Sequence, residues 1–393
     1  MLDRPLRDLR VLDLSRLLPG PFCTLILSDL GARVDKVEDP HLGDYLRLFP
    51  PTRRGLSGRF IAINRDKRSL CLDLKQPAGR AVLLRLVAHY DVVVESFRPG
   101  VLDRLGVGFA ALASANPKIV LCSISGYGQD GPYRDRAGHD VNYESLAGVT
   151  GMTGPRDGTP PVPGVQLADV AGGALWGAVG ILAALHGAAK SGRGSHVDVS
   201  MCEGALAFML PDLGNQDVGK HVPERGAELL NGGAACYAIY RTSDGRHLSV
   251  GALEPKFWIA FNQAIGRAPD PSELVAPPAQ QDKVRAEIQA ILATRTRDEW
   301  EAVFAEPGVD ACVEPVLLPS ELAGHPQHVA RELFFRIGDD QQVWTPTAGE
   351  RRERAALPHR SPPTLGQHSA EVLADAGFTE AEIAALRAAS TIR

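Results

Sequence analysis

Two side chains able to move a proton stand in distinctive settings. His139 lies in Gly138-His139-Asp140-Val141-Asn142-Tyr143, and Asp169 lies in Leu167-Ala168-Asp169-Val170-Ala171-Gly172-Gly173. Imidazole changes charge near neutral pH, so a histidine beside an aspartate, after a glycine-rich loop (Gly126, Gly128, Gly131), has the make-up of a general base. An ordinary surface histidine fits the same pattern. An aspartate just ahead of a Gly/Ala-rich helix reads as an N-cap. The same place sets a carboxylate beside free backbone N–H groups, where small side chains let a ligand approach. A third segment, Glu95-Ser96-Phe97-Arg98-Pro99-Gly100-Val101-Leu102-Asp103-Arg104, carries two arginines around a Pro-Gly turn. The planar guanidinium fork matches phosphate; a solvated turn fits equally. The fourth, Arg65-Asp66-Lys67-Arg68, is a basic loop running into Ser69–Leu74, with Lys75 at the exit.

The elements that must position these groups alternate through the first half. Leu9–Leu14 reads as a strand, and the turn Leu18-Pro19-Gly20-Pro21 opens a helix that Gly31 stops. Arg33–Glu38 is the next strand, followed by Ser69–Leu74, Val92–Glu95 and Ile119–Ile124, with an amphipathic helix over Pro77–Ala88. Strands alternating with helices predict a Rossmann-like parallel α/β sheet. The outline invites a dinucleotide, but the first turn reads Leu-Leu-Pro-Gly-Pro and lacks G-x-G-x-x-G. Its prolines remove the N–H donors a pyrophosphate needs.

The second half changes character. The chain turns sharply over Gly187–Val199, and Ser243-Asp244-Gly245 between Ala238–Tyr240 and His247–Val250 signals a hairpin. Amphipathic helices follow at Pro255–Ile265, Gln281–Thr294 and Thr296–Phe304, and a last one at Thr379–Ala388. The expected organisation is a large domain over 1–200, a linker over 201–226, a smaller α+β domain over 227–318, and a segment over 319–393 returning to the large domain. Pro346, Pro358, Pro362 and Pro363 make part of that return an extended strap.

Composition limits the partners. Net charge is −5 with both signs interspersed, so neither nucleic acid nor a membrane surface is an expected partner. The six cysteines form no CxxC pair and sit mostly in apolar runs, which predicts free thiols in a reducing compartment and no zinc site. The N-terminus (Asp3, Arg4, Arg7, Asp8, Arg10) has no apolar signal core. The weakly polar run Ala171–Leu185 is too short and too rich in Gly and Ala for a membrane span. Cytoplasm is the expected location.

These four segments, with DLGARVDKVEDP, SGYGQDGPY, LLNGGAACYAIYRTSDGR, GALEPKF and DACVEPVL in the same order, resemble the family III CoA transferases (CaiB/BaiF) from about Leu9 to Pro315. GHDVNY and Gly251-Ala252-Leu253-Glu254-Pro255 are similar to the α-methylacyl-CoA racemase branch, whereas Pro163-Gly164-Val165-Gln166 departs from it. The resemblance implies an interlocked homodimer, an acyl-CoA substrate that brings coenzyme A as part of itself, no permanently bound cofactor and no metal. In the racemase branch His139 and Asp169 would exchange the α-proton of the thioester, with Glu254 supporting the histidine. In the transferase branch Asp169 would be a nucleophile passing the acyl group through a mixed anhydride. Coenzyme A would lie against Leu72, Asp73, Leu74, Lys75, Arg98 and Arg104, with Gly138, Val141, Asn142 and Tyr143 bordering it.

Overall fold

In a computed structural model the described residues are 4–345 and 358–393. They divide into two compact units. One takes in the chain up to Ala147, Gly164–Phe208 and the part from His325 onward; the other is Gly148–Pro163 with Met209–Gly324. Asp3 and Pro346, which entered the sequence expectations, lie outside the described residues. Gly148–Pro163, expected in the large domain, groups with the second unit. Arg225 ties it there, donating to the carbonyl oxygens of Pro155 (2.7 Å) and Gly158 (2.6 Å).

The first unit is built on six parallel strands: β1 (Arg10–Asp13), β2 (Arg33–Glu38), β3 (Arg68–Cys71), β4 (Val92–Glu95), β5 (Val120–Ser125) and β6 (His196–Ser200), in the order β3-β2-β1-β4-β5-β6. Strands covered on both faces read as apolar runs, and all of Val-Val-Val-Glu in β4 is buried. β6 corrects the expectation of a sharp turn through Val199. Its sequence, His-Val-Asp-Val-Ser, begins half-solvated at the sheet edge and gives no apolar run to read. Chain direction across the sheet reverses between β1 and β4, and the crevice beyond their C-terminal ends is where open α/β sheets take ligands.

Helix α1 (Pro19–Asp29) follows β1 directly, and its prolines occupy first-turn positions where no intrahelical N–H is needed. Helix α2 (Pro77–Val87) sends Val82, Leu83, Leu86 and Val87 into a core with Leu12, Val93 and Leu121. Val372 and Leu373 of the helix Ser369–Asp375, Phe378 of the connection after it and Ile383 of the helix Glu380–Ala388 complete the same core. Helix α3 (Asp140–Leu146) carries the GHDVNY segment. A π-helical stretch, Ala168–Leu175, runs into α4 (Trp176–Ser191) and packs on α5 (Met201–Leu206). A Cβ on Gly204 would stand 2.0 Å from the Gly172 carbonyl oxygen, so this crossing requires glycine. The continuous helix Ala168–Ser191 has 24 residues, which corrects the expectation of a run too short to span a membrane. Its Ala174, Ala178 and Ile181 are buried, and Gly177 lies against Ile124 and Cys23.

The second unit has a three-stranded antiparallel sheet: Tyr237–Arg241, His247–Gly251 and Val313–Pro315, the last absent from the sequence expectations. Helices Pro255–Ala264, Pro278–Leu292 and Arg297–Phe304 contribute Trp258, Phe261, Ile288 and Trp300 to its core.

Beneath the β1–α1 turn lies a charged network closed to solvent. Lys67 Nζ donates to Asp13 Oδ2 (3.1 Å), Thr24 Oγ1 (2.8 Å), Asn64 Oδ1 (3.0 Å) and the Pro21 carbonyl (2.9 Å). Lys36 Nζ donates to the Ser15 carbonyl (2.8 Å) and pairs with Asp44 (3.0 Å). Arg65 pairs with Asp29, and Arg68 forks onto Asp35. The basic loop Arg65–Arg68 therefore serves the interior. Burial alone would raise the Asp13 carboxyl, but Lys67 and then Lys36 hold it well below the usual range. Burial also brings Lys67 down to about 8. Removing one partner of a buried ion pair costs about 3–5 kcal/mol, so Asp13→Asn should destabilise the first unit by that amount in denaturant unfolding at neutral pH. Asp13 stabilises the fold above its ordinary range and loses that contribution as pH falls through its folded one. The gap between wild type and Asp13→Asn should therefore narrow in acid.

Candidate active site

Two cavities of about 500 Å³ each open at the C-terminal ends of β1 and β4. The first is lined by Ser125–Tyr127, Arg134, Arg136–His139, Asn142, Tyr143 and Asp169; the second by Val37–Asp39, Leu42–Asp44 and Leu72–Lys75. Arg16, Tyr45, Phe97 and Arg98 line both.

The turn after β1 is held in an unusual shape. Leu17 has φ of 64°, the left-handed region, and its N–H donates to Asp44 Oδ1 (3.0 Å) while Arg16 N–H donates to Ser96 Oγ (3.0 Å). Strain of this kind persists where the surroundings over-determine it. Arg16 comes to rest with its guanidinium 4.9 Å from the Tyr45 ring centroid and 5.1 Å from that of Phe97, and it donates to Tyr45 Oη (2.8 Å). The turn after β4 is set by Glu95, whose buried carboxylate accepts from Phe97 N–H (2.6 Å) and is pushed up to about 7 by that burial. Gly100 follows with φ of 76°, and a Cβ there would meet Arg134 Nη2 at 2.7 Å and Arg104 Nη1 at 3.3 Å. Two guanidinium groups thus flank the Pro-Gly turn.

His139 is the exposed N-cap residue of α3, with its backbone N–H donating to Asn142 Oδ1 (3.0 Å). Tyr143 fixes the loop before it by donating to the Gly138 carbonyl, with its ring against Gly126 and Gly138. A Cβ on Gly126 would stand 2.5 Å from that ring. Asp169 is not an N-cap: it is the second residue of the π-helical stretch, and its N–H donates to Asp140 Oδ1 (2.9 Å). Leu167 N–H donates to Glu144 Oε1 (3.0 Å). Both of these helix-start donors are therefore occupied by carboxylates from α3, so neither is free for a ligand. Burial first, and then the charges of Asp140 and Glu144, push the Asp169 carboxyl up to about 7.

Of the residues singled out from sequence, Gly138, His139, Asn142, Tyr143 and Asp169 share the first cavity. Leu72, Asp73, Leu74 and Lys75 share the second, and Arg98 reaches both. Val141 and Arg104 are exposed and line neither. Glu254 is an exposed N-cap residue in the second unit. Sequence reasoning passed over Arg16, Tyr45, Phe97 and Glu144. Arg16 carried a signal, since it is a cation in the turn after the first strand.

The profile of CoA-transferase family III matches residues 6–369. The chain belongs to this family. It is 37% identical to the mouse α-methylacyl-CoA racemase over 382 residues, covering 96% of this chain and 95% of that protein. It is 34% identical to the succinyl-CoA–D-citramalate CoA-transferase of Chloroflexus aurantiacus, covering 99% of this chain and 98% of that protein. Among solved structures, a CaiB/BaiF family protein from Brucella suis superposes with a TM-score of 0.81 at 30% identity, covering 95% of this chain and 99% of that one.

Proposed function

We propose that this family member is a 2-methylacyl-CoA racemase. The supporting observation is that His139 and Asp169, from two different elements, line one cavity. An α-proton beside a thioester carbonyl is weakly acidic, and inverting its carbon takes a base on one face and an acid on the other. His139 takes the proton, the C–H electron pair moves into the thioester carbonyl to give the enolate, and Asp169 delivers its own proton to the opposite face. A carboxyl held up to about 7 carries that proton near neutral pH. The second cavity takes the nucleotide part of coenzyme A along Leu72–Leu74, with Lys75 and Arg98 supplying cations for its phosphates. Coenzyme A arrives and leaves with the substrate.

A second reading, CoA transfer between carboxylic acids, is favoured by the transferase relative that matches nearly the whole chain. Asp169 would then attack the thioester as an ionised nucleophile, expelling the CoA thiolate and forming an acyl-aspartyl anhydride. The raised Asp169 carboxyl favours the acid–base role instead.

In a racemase, His139→Ala and Asp169→Asn should each lose on the order of 10²–10⁴-fold in rate, the usual contribution of a positioned acid–base group. In a transferase only Asp169→Asn abolishes turnover, His139→Ala is milder, and hydroxylamine traps an acyl group on Asp169. Glu254→Gln tests the orienting role that the family resemblance gives that residue; an unchanged rate removes it.

The homodimer is likewise a proposal. Leu175, Trp176, Val179 and Leu182 form an exposed apolar stripe at helical spacing. Wild-type protein should sediment as a dimer at micromolar concentration, with Val179→Asp shifted toward monomer. A folded, active wild-type monomer would contradict the proposal.

A further inference from the structure

Glu144 is a buried acid that the racemase mechanism does not use. Its side chain is enclosed: Oε1 accepts from the Leu167 N–H at 3.0 Å, Oε2 is buried, and burial first, then the neighbouring Asp140, raises its own carboxyl. It stands one helical turn after Asp140 on α3, and Asp140 in turn receives the N–H of Asp169. Three carboxyl groups, Asp140, Glu144 and Asp169, therefore meet where α3 joins the start of the π-helical stretch. The other elements packed on that stretch carry ionisable groups of their own. These are Cys23 and Asp29 on α1, Cys122 on β5, His196 and Asp198 on β6, Cys202 and Glu203 on α5, and His186 and Lys190 on α4. The charges that act on Asp169 are those of Asp140 and Glu144, and the Tyr143 phenol is raised by burial first and then by Asp169. Carboxylates crowded away from water cannot all ionise together, so such a group retains a proton.

We propose that Glu144 is a positioning residue that keeps Asp169 in its protonated form, so that Asp169 starts the reaction as the acid opposite His139. One oxygen of Glu144 tethers the chain two residues ahead of Asp169. The other is buried in the same junction, so that charge on Glu144 or Asp140 opposes ionisation of Asp169. The role rests on the racemase reading only in naming what Asp169 does; the proton it assigns to Asp169 exists with or without substrate.

Glu144→Gln separates charge from tether, because the amide oxygen still accepts from Leu167 N–H while the charge is gone. Full-length protein labelled with 13C at aspartate Cγ, with the Asp169 signal assigned by its loss in Asp169→Asn, reports the ionisation directly. In wild type that signal should titrate near neutrality. In Glu144→Gln it should move to lower pH by about one unit, a roughly tenfold weaker hold on the proton. The alkaline limb of the pH profile of α-proton exchange should shift the same way. Like-charge repulsion is what retains the proton, so removing one negative charge releases it at lower pH.

An unchanged Asp169 titration in a folded Glu144→Gln protein would overturn the inference and leave Glu144 a tether alone. If the variant does not fold, wild type decides: an Asp169 signal titrating in the ordinary carboxylate range overturns the inference, and one near neutrality supports it. The expected titration in a protein that exchanges no α-proton would instead fail the racemase reading while leaving the role of Glu144 intact.

Discussion

Two buried lysines fix the turn that follows β1. Lys67 draws together β1 through Asp13, α1 through Thr24 and the Pro21 carbonyl, and the loop before β3 through Asn64. Lys36 links the end of β2 to the Ser15 carbonyl and to Asp44. Asp44 then bonds the N–H of Leu17 and fixes the left-handed residue beside Arg16. Buried ion pairs contribute little net stability compared with a well-packed apolar core, because desolvation offsets most of the Coulomb attraction. What this network provides is geometry. Each charge accepts one arrangement of partners, and that arrangement places the β1–α1 turn as a shared wall of two cavities.

The cavity that holds His139 and Asp169 depends on a second set of constraints, made of small residues and carboxylates. Gly126 and Gly138 admit the Tyr143 ring, which pins the loop leading to His139. Gly172 and Gly204 let the π-helical stretch approach α5 at backbone distance. Asp140 and Glu144 cap the start of that stretch from outside, and in doing so bring two further carboxyl groups up to Asp169. The groups that fold this junction are thus the ones that tune its proton.

Much of the fold was legible because its signal is local. The parallel strands are short apolar runs bounded by turn residues, and Arg33–Glu38 and Val92–Glu95 match their expected limits. β6 was not legible, since an edge strand reading His-Val-Asp-Val-Ser is half polar. The role of the basic loop was not legible for a related reason: charge is visible in sequence, but burial is not. Arg65, Lys67 and Arg68 are enclosed with Asp29, Asp13 and Asp35 as their partners. His139 and Asp169 could be chosen by residue type and setting. Glu144 could not, because its character comes from being enclosed beside two other acids.

The central claim is that this site moves a proton on carbon. The most direct measurement incubates wild-type enzyme with 2-methylacyl-CoA thioesters in D₂O, with no carboxylic acid acceptor, and follows product mass. The expected result is the gain of one deuterium at the α-carbon together with inversion of its configuration. Deuterium-free thioester across a broad panel of acyl chains, alongside acyl transfer once a free acid is added, would contradict it.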